Sequence, residues 1–223
     1  MSYHELSIEE RSNIQIGLVR SMSQRAITRM LNRSPSTICR EIRRNRDAQG
    51  AYTTQHAQRA MCKRRWEGDL IKGKANASAV GTLVERTSGY LMLVKMSDAT
   101  ATSAVEGFSA ALNRMPLAAR KSMTYDQGRE MARHAEITQK TGVAIYFCDP
   151  HSPWQRGSNE NINGLIRQYL PKGADLSVYS QEQLDAIAYE LNIRPRKRFG
   201  FKCPIEVMTE LMAKHHEAPA SLQ

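Results

Sequence analysis

Cysteine is scarce and scattered in this chain of 223 residues. Cys39, Cys62, Cys148 and Cys203 form no CxxC pair and stand near no paired histidines, which argues against a structural zinc site and against a disulfide framework. Reduced thiols fit an intracellular protein. No apolar run approaches membrane-spanning length, and the polar, acidic opening "MSYHELSIEE" has no signal-peptide character, so a soluble cytoplasmic protein is expected. Internal repeats and low-complexity tracts are also missing. Acidic side chains are what the first third lacks: residues 1–66 hold 13 Lys and Arg against 5 Asp and Glu, most of the chain's net charge of +10. An Arg-rich helical block of this kind predicts a polyanionic partner, and nucleic acid above all. It offers no Trp, Phe and Leu face of the sort that interfacial membrane helices present.

What is present in that block is a run of helix signals. In "LSIEERSNIQIGLVR", Ser7 followed by Glu10 has the spacing of a capping box. "MSQRAITRMLN" is a second short helix after the polar break at Ser21–Ser23. "SPSTICREIRRN" is a third, capped by Ser34, with Pro35 in its first turn and Asn45 at its end. Ile38 and Ile42 share its buried side, while Ser36, Thr37, Arg40, Arg43 and Arg44 are candidates to meet DNA. Three short helices, the last one basic, make a helix-turn-helix domain. The alternative is a plain three-helix bundle with a solvated Arg face.

"AYTTQHAQRAMCKRR" continues as a helix or helical linker. From "WEGDLIKG" the pattern changes to strands at "DLI", "AVGTLVER" and "YLMLVKM", the last two joined by the turn "TSG". A helix ("ATSAVEGFSAALNRM"), a strand ("SMTYD"), a helix closed by Gly142 ("REMARHAEITQKTG") and a strand ("AIYFCD") follow. The order predicts an α/β fold, a mixed sheet flanked by helices. The helix "SQEQLDAIAYELN" then precedes the basic segment "RPRKRFGFKCP".

The stretch "HSPWQRGSNENINGLIRQYLP" carries a helix whose apolar residues Ile162, Leu165, Ile166 and Tyr169 fall on one face. Glu160, Asn163, Gly164 and Arg167 share the other face, and a loop with His151, Trp154 and Arg156 leads in. Taken alone, that polar row is a solvated face. Two aspartates alter its weight. Asp69 lies within the first short strand, and Asp126 ends the strand "SMTYD", at the sheet edge where ligands bind in α/β proteins. First and fourth strands tend to be neighbours in such a sheet, so both could converge with Glu160. Three carboxylates together repel one another unless a cation lies between them, and all-oxygen ligands favour Mg²⁺ or Mn²⁺. Two ions roughly 3.5–4 Å apart would activate a water or 3′-hydroxyl and stabilise the leaving oxygen.

The triplet Asp69, Asp126 and Glu160, with 33 residues between the last two, resembles the DDE transposases and integrases. More narrowly, the chain resembles the IS-thirty family of bacterial insertion-sequence transposases. The likeness is carried by "WEGDLIKG", "GTLVERTSGYLMLVKM", "TYDQGREMARH", "YFCDPHSPWQRGSNENINGLIRQYLPKG" and "LNIRPRKRFGFKCPIEV", and runs from Trp66 to about Met208. It implies a ribonuclease-H-like fold whose three carboxylates are catalytic and hold two metal ions. The domains expected are a helix-turn-helix over 1–48, a helical linker over 49–65, a ribonuclease-H-like catalytic core over 66–212 and a flexible tail over 213–223. Asn163 and Arg167 would then hold DNA phosphate or sugar, His151, Trp154 and Arg156 would approach DNA from the loop, and Arg196 and Lys197 would contact it non-specifically. The family resemblance also implies double-stranded DNA as substrate and a homo-oligomer on that DNA. Family members usually have a longer segment between the helix-turn-helix and "WEGD", which implies an internal deletion here or a trimmed relative. The leading function is thus metal-dependent strand cleavage and strand transfer at element ends. A DNA-binding repressor without catalysis and a metal-dependent nuclease are the alternatives.

Overall fold

Each N-terminal helix begins at a serine whose side chain replaces a missing backbone partner. Residues 6–47, 49–55, 57, 66–148 and 157–216 are described by this computed structural model. Helix α1 (Ile8–Val19) starts with the full Ser7–Glu10 capping box, α2 (Gln24–Leu31) is capped by Ser23, and α3 (Pro35–Arg44) is capped by Ser34 with Pro35 in its first turn. Asn32, left-handed at φ 48°, ends α2. The three helices close over Ile14, Ile27, Ile38 and Ile42, joined by Leu6, Tyr52 and Ala57. Arg11 is buried among them. Its guanidinium donates to Glu41 at 2.8 Å and to the Leu6 carbonyl at 2.7 Å, and the Tyr52 hydroxyl donates to the same Glu41 carboxylate at 3.1 Å. Burial and the Glu41 charge push the Tyr52 phenol well above its ordinary pKa, so it stays a donor.

The chain divides into two compact units, residues 1–63 and 64–223. Tyr52 and Ala57, from the segment expected as a linker, belong to the first unit's core.

The second unit is built on five strands: β1 (Trp66–Lys72), β2 (Ala79–Glu85), β3 (Leu91–Met96), β4 (Ser122–Tyr125) and β5 (Ala144–Phe147). Their order is β3-β2-β1-β4-β5. The first three run antiparallel to their neighbours, and β4 and β5 are added parallel to β1. Among the described residues five helices accompany the sheet: α4 (Ala101–Asn113), α5 (His134–Thr141), α6 (Gly157–Ile166), α7 (Gln181–Asn192) and α8 (Pro204–His216). One face of the sheet packs Leu70, Leu83, Met123 and Tyr125 against Phe108 and Leu112 of α4 and Ile137 of α5. The opposite face packs Ile71, Val80, Val84 and Leu93 against Ile162 and Ile166 of α6 and Leu184 and Leu191 of α7. Gly68 is required between Glu67 and Asp69, because a Cβ there would come within 2.7 Å of the Tyr125 ring.

Three expectations change. The first strand is seven residues long rather than the three of "DLI". The helix expected over "REMARHAEITQKTG" divides into a 3₁₀ turn at Arg129–Met131 and α5, because Met131 turns into the core and Arg133 starts the next helix without a side-chain cap. The chain is helical to His216 rather than forming a tail from 213, since Pro204 suits the first turn and no Gly or Pro interrupts the next twelve residues.

Candidate active site

The parallel pair β1–β4 sets the position of both aspartates. Trp66 pairs with Met123 and Glu67 with Thr124. Continuing that register by two residues puts Asp69 opposite Asp126, at the level where β4 ends. Adjacent strands lie about 4.8 Å apart and register partners in a parallel pair share a face. Side chains alternate along β1, so Glu67, Asp69 and Ile71 all face α6 and α7. Asp69 Oδ1 accepts from the Leu70 N–H at 2.9 Å, and Asp126 Oδ1 accepts from the Gly128 N–H at 3.2 Å. Both carboxylates are half-buried.

Helix α6 is fixed over these strands by polar contacts as well as apolar ones. Asn159 is 1% exposed. Its backbone N–H donates to Glu67 Oε2 at 2.9 Å, its side-chain Nδ2 donates to the Glu67 carbonyl at 3.1 Å, and its Oδ1 accepts from the Thr82 hydroxyl at 3.0 Å. Glu67 is itself buried and lies 3.0 Å from Arg86 Nε. One turn further, Asn163 Nδ2 donates to Asp69 Oδ2 at 2.8 Å. Asn163 Oδ1 is buried and has no hydrogen-bond partner among the described residues, so a second acceptor oxygen stands beside Asp69. Glu160, exposed, lies one turn before Asn163 on the same helical face.

This arrangement joins Asn163 to Asp69, with Asp126 directly following the neighbouring strand β4 and Glu160 one helical turn before Asn163. Among the described residues, no three His, Cys, Asp or Glu side chains are close enough to hold an ion jointly. Bare carboxylates resist closer approach because their charges repel. The available donors are all oxygens, Asp69, Asp126, Glu160 and the orphan amide oxygen of Asn163, a set that suits a hard divalent cation.

The other expected site residues divide by location. Asn163, expected at DNA, is engaged with Asp69. Arg167 is half-buried and donates to the Leu170 carbonyl at 3.3 Å, at the end of its own helix. His151, Trp154 and Arg156 lie outside the described residues. On α3, Arg40 and Arg43 are exposed and Arg44 is half-buried, while the Ser36 and Thr37 hydroxyls both bond to Ser34 at the helix start. Arg196 and Lys197 stand beside the first turns of α6. Glu67 and Asn159 were missed in the sequence. A signal existed for Asn159: it continues the row Ile162, Ile166 at helical spacing, so an amide occupies a buried position and needs partners there.

Residues 2–45 match the helix-turn-helix domain family and residues 60–153 match the integrase core domain family. Glu160 lies beyond the second match. The chain is 64% identical over 148 residues to the transposase of insertion sequence IS1086 from Cupriavidus metallidurans, covering 66% of this chain and 44% of that protein. It is 50% identical over 143 residues to the transposase InsI of insertion sequence IS30A from Escherichia coli, covering 64% and 37%. With the transposase of IS4351 from Bacteroides fragilis the figures are 39% over 155 residues, 70% and 47%. The chain thus spans less than half the length of each of these relatives. In three dimensions it is similar to the catalytic core domain of BIV integrase, with a TM-score of 0.53 and 16% identity, covering 70% of this chain and 99% of that one. The second unit therefore has the integrase-core, ribonuclease-H-like fold, preceded by three helices of helix-turn-helix type.

Proposed function

We propose that this chain, a member of the IS30 (IS-thirty) family of transposases, acts on double-stranded DNA by metal-dependent phosphoryl transfer, nicking element ends and joining the freed 3′-hydroxyl to target DNA. The observation that carries the reading is Asp69 on β1 with Asp126 directly following the neighbouring parallel strand β4, and α6 fixed over β1 through Asn159 and Asn163. Integrase cores generally use divalent metal ions. Here Asp69, Asp126 and Glu160 would hold two, Mg²⁺ or Mn²⁺, which supply charge neutralisation and a more acidic attacking oxygen when bound. Asp69, on the central strand, would be the residue placed to serve both ions. Asn163 orients its carboxylate through Oδ2. Arg40, Arg43 and Arg44 of α3 neutralise backbone phosphates and position the end sequence. The chain works in the bacterial cytoplasm at the nucleoid, as a homo-oligomer on DNA; among the described residues no helix is long and apolar enough to cross a membrane.

A second reading, DNA binding without catalysis as a repressor of transposition, is favoured by one observation: among the described residues no three carboxylates are close enough to hold an ion jointly. An end-duplex assay with Mg²⁺ separates these readings and the nuclease. Nicking followed by joining is expected, and Asp69→Asn, Asp126→Asn and Glu160→Gln should each reduce cleavage by at least about a thousandfold while end binding stays intact. Binding without nicking would leave the repressor, and nicking without joining a nuclease.

A further inference from the structure

Helix α1 is apolar on two sides. Ile14 is fully buried and Leu18 packs against the three-helix core, but Ile8, Ile16 and Val19 are 55%, 48% and 79% exposed. At about 100° per residue, the middle of this outer stripe, between Ser12 and Ile16, lies about 180° round the helix from Ile14. A surface helix ordinarily turns one apolar stripe inward and a polar face outward, so a second apolar stripe calls for a cover of its own. A shallow groove of about 360 Å³ runs along the stripe beside Thr54. The Ser12 hydroxyl donates to the Ile8 carbonyl at 2.9 Å, and Gln15 Oε1 accepts from the Thr54 N–H at 2.8 Å, so both can be covered without losing a bond. Glu9 and Arg20 border the stripe, both exposed and without an ion-pair partner among the described residues.

Two equal spacings make the stripe complementary to itself. Ile8 and Val19 are eleven residues apart, and so are Glu9 and Arg20. Eleven residues make about three turns plus 20°, so each pair lies along one line of the helix, the apolar pair on one flank and the charged pair on the other. A two-fold axis across the helix near Ile14 reverses its direction and keeps each flank on its own side. Ile8 then meets Val19 of the second copy, Glu9 meets its Arg20, and Ser12, which is small, lies opposite its Ile16. Each contact occurs twice, and the two helix dipoles run antiparallel. We infer that α1 is a self-pairing surface whose partner is α1 of a second copy of this chain. The helix has 12 residues. It is thus about 18 Å long and about 10 Å across, and covers about 200–400 Å² per copy against the roughly 800 Å² of a stable complex. The pair is too small to hold dilute free copies together. It serves copies already side by side on DNA, where the effective concentration is about millimolar. This rests on the reading of the chain as a homo-oligomer on DNA, which it deepens by naming the surface.

The test uses the full chain and needs no catalysis. Sedimentation of the free protein should show monomer alone at about 1 µM and a monomer–dimer mixture at about 1 mM. On a random-sequence duplex long enough for several copies, a position beside an occupied one should bind at least about tenfold more tightly than a duplex that fits a single copy. Glu9→Arg alone and Arg20→Glu alone each turn two attractions into two repulsions, and each should bring that ratio down to about one. In an equal mixture of the two variants the arginines of one chain meet the glutamates of the other, and the ratio should return to within about twofold of wild type. Recovery between chains is a result that neither a folding defect nor a contact inside one chain can give. Ile16→Asp should remove dimers and cooperativity in every mixture while binding the single-copy duplex normally. A wild-type ratio of one, or single variants that pair normally, would overturn the inference. So would a mixture that stays non-cooperative, which would assign the stripe to a contact within the chain. Millimolar dimers that follow the charge swap, in a protein that neither binds nor nicks DNA, would keep the pairing and remove the transposase reading. Nicking by a protein indifferent to the swap removes the pairing alone.

Discussion

The two faces of the central sheet are covered in different ways. Under α4 and α5 the contact is side chain against side chain among Leu70, Leu83, Phe108, Leu112, Met123 and Tyr125. Under α6 an apolar patch of Ile71, Val80, Ile162 and Ile166 gives way, towards the strand ends, to Glu67, Thr82, Asn159, Asp69 and Asn163. Apolar packing is non-directional and tolerates small shifts, whereas a network of hydrogen bonds fixes one register of helix on strand. The first face thus supplies cohesion. The second gives up part of that cohesion to hold a carboxylate in a defined orientation.

Substitutions on each face sharpen that division. Phe108→Ala on the α4 face should cost about 3–5 kcal/mol in urea or thermal unfolding, with cleavage per folded molecule unchanged. If cleavage fell in step with Phe108 truncation at full folding, the first face would not be a passive support. Asn159→Ala retains the backbone N–H to Glu67 but strips partners from the Glu67 carbonyl and the Thr82 hydroxyl, a loss of about 2–3 kcal/mol. Cleavage should fall at least tenfold even where the variant is fully folded, because α6 loses its register. Asn163→Ala, next in size, should change stability by about 1 kcal/mol or less while reducing cleavage or metal affinity about 10–100-fold. An Asn163 variant with normal metal response would break the proposed link between α6 and Asp69. The smallest effect lies off the sheet. Hydrogen bonding from Arg33 holds the Glu10 carboxyl below its usual pKa. The folded value being depressed, that stabilisation is complete above the unfolded pKa of about 4.3 and is lost as pH falls through the folded value. Acid titration of the helical signal should show a slightly earlier loss for wild type relative to its neutral-pH stability than for Glu10→Gln, whose stability should converge on that of wild type once the pH has fallen through the lowered Glu10 value.

Much of this was legible in the chain itself, and the reasons differ by element. The caps at Ser7 and Ser34 act within three residues of their targets, so local sequence suffices to see them. The sheet order follows from strand signals and from β4 joining β1, which put Asp69 and Asp126 on neighbouring strands as expected. Helix α8 carried an apolar period through Val207, Met208 and Leu211 but was passed over as the end of the core. Glu67 and Asn159 were hidden for a different reason: a buried acid and a buried amide look like surface residues until their partners, 92 positions away, are known. Asn163 was read as facing outward because helical periodicity tells which side of a helix is polar and not what that side meets.

That same separation has a consequence for synthesis. The side-chain contact from α6 to Asp69 comes from Asn163, 94 residues downstream, whereas residues 1–63 close over a core of their own. At about 5–20 residues per second, roughly 5 to 20 seconds pass on the ribosome between the making of β1 and of α6. During that interval residues 1–63 can close over their own core while the sheet unit still lacks α6. A chain stopped before Asn159 is therefore expected to bind DNA without nicking it, which gel-shift and nicking assays on one preparation would check. Under the proposed function, translation order alone then imposes a delay in which the nascent protein can settle on nearby DNA before it is able to cut.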